Sequence, residues 1–149
     1  MTGGRRAAVL AIALGACGLK NDPVAPQLVR PTPPAKLAAG AATDGVRLTW
    51  RRPVAYTGGG RMRDLGRFEV ERAPAPTGPF VLVGTLTLAD QQRFRQQRDL
   101  EWTDHDVERG GDYAYRVIAF TVDGTRSAPS SVVQIHYLPA AAAAPRDGR

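Results

Sequence analysis

The sequence predicts an all-β fold in which seven short antiparallel strands pack as a two-layer sandwich. Sixteen glycines and twelve prolines in 149 residues interrupt the chain too often for a bundle of helices. Apolar and polar residues alternate within several short segments, as they do in strands that bury one face. Hydrophobic residues make up 43% of the chain, which is enough to build one domain core.

Each strand is predicted from its own alternation and is bounded by turn-forming residues. The strands are predicted around Leu37 and over residues 46–51, 67–71, 80–88, 100–103, 113–119 and 133–137. The segments between them contain Asp-Gly, Gly-Gly or Pro-rich turns. Seven such strands within about 100 residues are typical of an antiparallel sandwich.

Several of these strands resemble those of the fibronectin type III family of immunoglobulin-like domains. The segments that carry the resemblance are Val46-Arg47-Leu48-Thr49-Trp50, Phe68-Glu69-Val70-Glu71-Arg72, Val107 to Tyr113 and Tyr113-Ala114-Tyr115-Arg116-Val117. The resemblance implies a core built from Trp50, Phe68, Val70, Tyr113 and Val117. We expect the Trp50 indole N–H to bond a backbone carbonyl. The Tyr113 hydroxyl is expected to bond the backbone a few residues upstream.

The N-terminus has the pattern of an export signal. The basic pair Arg5-Arg6 precedes the uncharged run 7–16, which is too short to span a bilayer. Its end, Leu14-Gly15-Ala16-Cys17, resembles the lipobox of bacterial lipoproteins, in which the cysteine thiol is acylated. An ordinary signal peptide followed by an incidental cysteine is the alternative. Cys17 is the only cysteine in the chain, which favours lipidation and excludes an internal disulfide.

The remaining chain divides into a tether, a domain and a tail. Residues 17–34 are rich in proline and predict an extended tether that begins at the lipidated Cys17; a plain disordered leader is the alternative. Residues 35–138 form the predicted domain, and the Ala-rich residues 139–149 a disordered tail. The predicted signal peptide is 1–16.

Candidate catalytic groups are few, and the sequence predicts a protein that is not an enzyme and needs no cofactor or metal. Asp104, His105 and Asp106 form a titratable cluster, but aspartates in a turn bond nearby backbone amides without any site. Ser127, Ser130 and Ser131 have no His-Asp partners at a suggestive spacing. The Gly58–Gly60 segment lacks the Lys-Ser/Thr of a phosphate loop and is predicted to be a flexible loop.

Two surfaces are candidates for interaction. Arg93, Arg95 and Arg98 could meet an anionic partner, or could be a solvated edge that opposes aggregation. Ile118 and Phe120 are predicted on the outer face of the sixth strand, beside Arg116. They could form an exposed docking patch, or be covered by the loop 53–66 or by the tail.

The sequence therefore predicts a membrane-anchored envelope lipoprotein that presents a non-catalytic binding module. Its partners would be the membrane, through the N-terminal lipid, and an unidentified envelope protein or anionic surface. The net charge of +6 is spread along the chain, which does not suggest a nucleic-acid partner. The lipoprotein resemblance, with Gly18 after the cysteine, implies the outer membrane facing the periplasm. Cys17-Gly18-Leu19-Lys20 also resembles lipoproteins of the lipopolysaccharide translocon, so an assembly accessory of an envelope complex is the alternative.

Overall fold

A computed structural model of the chain describes residues 29–89 and 98–139. The predicted signal peptide, Cys17, the tether up to residue 28, Arg93, Arg95 and the tail beyond Pro139 lie outside these residues. The described part contains no helix of the length and apolarity that crossing a bilayer requires.

The seven predicted strands are confirmed, and they form two antiparallel sheets. The strands are β1 (Ala35–Ala41), β2 (Val46–Arg51), β3 (Leu65–Pro74), β4 (Val81–Thr87), β5 (Asp99–Asp104), β6 (Asp112–Thr121) and β7 (Val133–His136). One sheet has the order β1-β2-β5 and the other the order β4-β3-β6-β7. All pairings between neighbours are antiparallel. The sheets face each other as a sandwich whose core comes from alternate residues of the inner strands.

The core follows the alternation of β2, β3 and β6. Its buried members on these strands are Val46, Leu48, Trp50, Leu65, Phe68, Val70, Tyr115, Val117 and Ala119. The Trp50 and Phe68 rings, from opposite sheets, meet edge to face with centroids 5.5 Å apart. Such an arrangement sets the positive edge of one ring against the negative face of the other. Tyr113 is partly buried and packs against the margin of this cluster.

The prediction that the Trp50 indole N–H bonds a backbone carbonyl is wrong. Its Nε1 is buried, and no acceptor among the described residues lies within bonding distance. The indole lies in the core cluster between the two sheets, and the backbone of its own strand pairs with β5.

The strand ends define two poles of the sandwich. The entry pole is the end at which residues 29–34 join the domain, and it holds the loops 52–64 and 122–132 together with residues 88, 89 and 98. It lies where Ala35 pairs with Arg51 and Leu65 pairs with Thr121. The far pole holds the loops 42–45, 75–80 and 105–111 and the segment that follows β7.

Residues at the end of the predicted tether lie against the domain. Pro31 is buried and forms a β-bridge with Tyr56. Thr32 donates its backbone N–H to the carbonyl of Ala55, at 3.0 Å, and Thr57 donates to the carbonyl of Arg30, at 2.8 Å. The chain therefore enters through a small β-like pairing with the loop 52–64.

Candidate functional site

The outer face of the β4-β3-β6-β7 sheet is covered at β6, whereas Leu82 of β4, opposite Glu71, is 57% exposed. Ile118 is 1% exposed and Phe120 is 9% exposed. The alternation placed both on the correct face of β6, opposite Glu69 and Arg67 of β3. The prediction that these two residues form an exposed apolar docking patch is nevertheless wrong, because neither presents appreciable surface to a partner.

Two arginines of this sheet lie over aromatic rings, and one of these rings is that of Phe120. The Arg67 guanidinium lies 4.2 Å from the centroid of the Phe120 ring, and its Nε lies 3.2 Å from Glu69 Oε1. Arg116 repeats this arrangement along the strand. It stacks 4.2 Å from the Phe80 ring centroid and donates its Nε to Glu71 Oε2 at 2.5 Å. Each guanidinium covers a ring and is held in place by a glutamate.

The arginines predicted as a second surface are only partly described. Arg98 is exposed, and its backbone carbonyl accepts the N–H of Arg52 at 2.8 Å. This bond places Arg98 at the entry pole beside the loop 52–64. Arg93 and Arg95 lie outside the described residues.

A buried ionic network at the far pole links the two sheets. Asp104, at the end of β5, is 2% exposed. Its Oδ2 accepts from Arg72 Nη1 at 2.8 Å and from the Tyr115 hydroxyl at 2.9 Å. Its Oδ1 accepts the backbone N–H of Asp106 at 3.1 Å. The predicted turn bond is thus present, and the second carboxylate oxygen joins an ion pair that the sequence did not reveal.

This network is a structural clamp and not an activated acid or base. Burial and then the negative charge of Asp104 raise the pKa of the Tyr115 hydroxyl well above its usual range, so it stays a neutral donor. Burial alone would lower the pKa of Arg72, but Asp104 outweighs it and the net shift is upward. Arg72 also donates to the Asp106 carbonyl and lies over the Tyr113 ring. The carboxylate, the cation and the phenol are all engaged with one another.

Both histidines sit beside aspartates at the far pole. His105 Nδ1 lies 3.0 Å from the Asp44 carbonyl oxygen, and His136 Nδ1 lies 2.8 Å from Asp112 Oδ1. Each pair is exposed. Across residues 29–89 and 98–139, no three His, Cys, Asp or Glu side chains come together as a metal-binding group.

Ser127 and Ser130 have a structural role that the sequence did not indicate. Their hydroxyls accept the backbone N–H groups of Ala119 and Val117, each at 3.0 Å. Their own N–H groups donate to the carbonyls of the same two residues. The two serines therefore pair the backbone N–H and C=O groups along the edge of β6 that β7 does not reach. The spacing of three residues between Ser127 and Ser130 is the sequence signal that could have suggested this role.

The glycine-rich loop at the entry pole is held by hydrogen bonds. Tyr56 donates its N–H to the Gly60 carbonyl at 2.8 Å, and Gly59 adopts a φ of 95°, which glycine tolerates best. The Tyr56 hydroxyl donates to Asp64 Oδ1 at 2.5 Å. Burial and this bond raise the pKa of Tyr56 to about 12. Met62 of the same loop is buried in the core.

Comparison with known structures identifies the fold. The sequence matches no protein-family model and no curated protein. The structure is similar to the twitchin kinase region from C. elegans, with a TM-score of 0.52 and 19% identity over 74% of this chain. The match spans only 17% of that protein. It is also similar to the solution structure of the fourth FNIII domain of a human protein, with a TM-score of 0.51 and 18% identity over 78% of this chain and 86% of that one.

The chain has a fibronectin type III-like fold. In this fibronectin type III-like domain, the Tyr113 hydroxyl accepts the backbone N–H of Glu108 at 2.9 Å, the upstream bond that the sequence predicted. Gly111 makes room for that ring, because a Cβ at this position would lie 2.6 Å from the Tyr113 hydroxyl oxygen. The corner fixes the loop 105–111 against β6 at the far pole.

Proposed function

We propose that this chain is an envelope lipoprotein, anchored through a lipid on Cys17, whose fibronectin type III-like domain is a non-catalytic binding module. The observation that carries the proposal is the segment Leu14-Gly15-Ala16-Cys17, which ends an uncharged run after Arg5-Arg6 and contains the only cysteine of the chain. The pattern is that of a lipoprotein leader, in which small residues precede the modified cysteine.

The mechanism we propose is presentation of a rigid sandwich at a fixed distance from a membrane. Two or three acyl chains on one cysteine would hold the protein stably, since each buried methylene contributes about 0.8 kcal/mol. Binding would then use loops, because Ile118 and Phe120 of β6 are buried and the Arg67 guanidinium lies over the Phe120 ring. The resemblance to lipoproteins, with Gly18 after the cysteine, favours the outer membrane facing the periplasm.

The test is acyl labelling in a diderm host that processes lipoproteins. The wild-type chain should incorporate labelled palmitate, lose its leader and fractionate with outer membranes. Cys17→Ser should lose the label and leave the membrane fraction. Gly18→Asp is the matched control: it should keep the label, with any change confined to which membrane holds the protein. Unlabelled wild-type protein, or a labelled Cys17→Ser chain, would refute the anchor.

The alternative is an assembly accessory of an envelope complex, favoured by the resemblance of Cys17-Gly18-Leu19-Lys20 to translocon-associated lipoproteins. A photo-crosslinker at Arg109 tests it, because this residue is exposed whereas Phe120 is buried. Recovery of one integral membrane complex in constant proportion to this chain supports the accessory role. Recovery of a separate soluble partner supports the binding module instead.

A further inference from the structure

The two poles of the domain differ in charge. The described loops of the entry pole contain six arginines and two aspartates: Arg30, Arg52, Arg61, Arg63, Arg98, Arg126, Asp64 and Asp123. The described loops of the far pole contain three acidic residues, one arginine and one histidine: Asp44, Asp106, Glu108, Arg109 and His105. The domain is therefore electrostatically asymmetric along its long axis.

Hydrogen bonds bring the basic loops together at one surface. Met62 donates its backbone N–H to the Val54 carbonyl at 2.9 Å, and Val122 donates to the Asp64 carbonyl at 2.7 Å. The entering segment joins the same surface through the bond from Thr57 to Arg30. The loops 52–64 and 122–132 thus lie side by side with the start of the domain.

The acidic side chains of this pole accept hydrogen bonds from its own residues, although Asp123 is exposed. Asp64 accepts the Tyr56 hydroxyl, and Asp123 accepts the Thr121 hydroxyl. That bond from Thr121 and others within the turn lower the pKa of Asp123, which stays ionised. Arg30, Arg61 and Arg63 are exposed and outnumber the one exposed acidic residue of these loops, Asp123. Exposed valines lie among them, with Val54 49% and Val122 55% exposed.

We infer that the entry pole is the face that this domain turns toward anionic phospholipid headgroups. This inference rests on the proposed lipid anchor, because the anchor places the pole beside a membrane. Eleven residues separate Cys17 from Val29, and even a fully extended chain of that length reaches only about 40 Å. The arginines would contact phosphates and the valines would contact the apolar margin of the headgroup layer. The acidic far pole would be repelled by the same surface and left free.

The experiment uses the mature chain, residues 17–149, with Cys17→Ser so that no acyl chain contributes. We expect it to sediment with vesicles of phosphatidylglycerol and phosphatidylethanolamine, but not with phosphatidylcholine vesicles, and to be released in 0.5 M salt, which shortens the Debye length to about 4 Å. Arg61→Gln with Arg63→Gln should lower the partition coefficient about 25-fold, at about 5-fold per arginine. Arg109→Gln, which removes one positive charge at the far pole, should change it less than about 2-fold, against about 5-fold for each entry-pole arginine.

Three outcomes would overturn the inference. The first is equal binding to both vesicle types, and the second is a loss of about 5-fold with Arg109→Gln, equal to the loss per arginine at the entry pole. The third is tight binding to soluble polyglutamate without vesicle binding, which would assign the pole to an acidic polymer. Unchanged urea midpoints in both variants would show that the loss is not unfolding. Acyl labelling in cells is independent of this experiment, so the anchor can stand while the orientation fails.

Discussion

Trp50 is the largest side chain in the core, and its indole N–H has no acceptor among the described residues. Trp50→Ala would leave a large cavity beside Phe68 and should cost about 3–5 kcal/mol of unfolding free energy. Trp50→Phe should cost less than half of that, because it keeps a ring in the cavity and removes a buried donor that is unpaired. Urea unfolding followed by far-ultraviolet circular dichroism measures both. A Trp50→Phe cost as large as that of Trp50→Ala would contradict this account of the indole.

Asp104 and Asp106 allow a buried and an exposed ion pair with the same arginine, Arg72, to be compared. Both lie close to Arg72, yet the Asp104 side chain is 3% exposed and the Asp106 side chain is 98% exposed. Asp104→Asn leaves a largely buried guanidinium without its charge partner and should cost about 3–5 kcal/mol. Asp106→Asn should cost about 0–1 kcal/mol, since solvent screens that contact. Urea midpoints at neutral pH decide between them. Similar losses in the two variants would contradict the clamp.

At the scale of elements, one glycine sets how closely β4 approaches β5. A Cβ at Gly84 would lie 2.1 Å from Cζ2 of Trp102, whose ring comes from the opposite sheet. Gly84→Ala should therefore cost about 1–3 kcal/mol through overpacking. Gly40→Ala on β1 is the control, because nothing lies within 4 Å of its added methyl, and it should change stability by no more than about 0.5 kcal/mol. Thermal unfolding of the two variants measures the difference.

The strands were predictable because each carries its own alternation, whereas contacts between elements were not. Alternation placed Ile118 and Phe120 on the outer face of β6, but it could not show that Arg67 covers the Phe120 ring from the neighbouring strand. Asp104 has the local signature of a turn aspartate, and its ion-pair partner Arg72 lies 32 residues away. Local pattern determines which face a side chain takes, and the register of two strands determines what it meets there.

In the molecule as a whole, the pole at which the chain enters the domain is also the pole that carries the excess of positive charge. The loops that receive Arg30 and Pro31 are the basic loops, and the loops at the opposite end are acidic. An antiparallel sandwich fixes this relation, because every strand end belongs to one pole or the other and the sheets hold the two poles apart. Under the proposed lipid anchor, the basic pole would therefore meet the membrane first.

That relation can be reversed experimentally, because Cys17 is the only thiol. The mature chain, coupled through Cys17 to a maleimide lipid in anionic vesicles, should show slower hydrogen exchange at the loop amides of residues 58–63 than on zwitterionic vesicles, since the exposed arginines Arg61 and Arg63 would contact phosphates. A second chain with Cys17→Ser and Glu108→Cys would be coupled to the lipid through the new cysteine at the exposed far pole. The substitution at position 108 changes only the side chain and keeps the backbone N–H that donates to the Tyr113 hydroxyl. In that chain the slowing of exchange at residues 58–63 should disappear. The distance from the lipid surface to the basic pole would then be the length of the sandwich, which exceeds the Debye length of about 8 Å. Equal protection from both attachment points would mean that charge does not orient the domain.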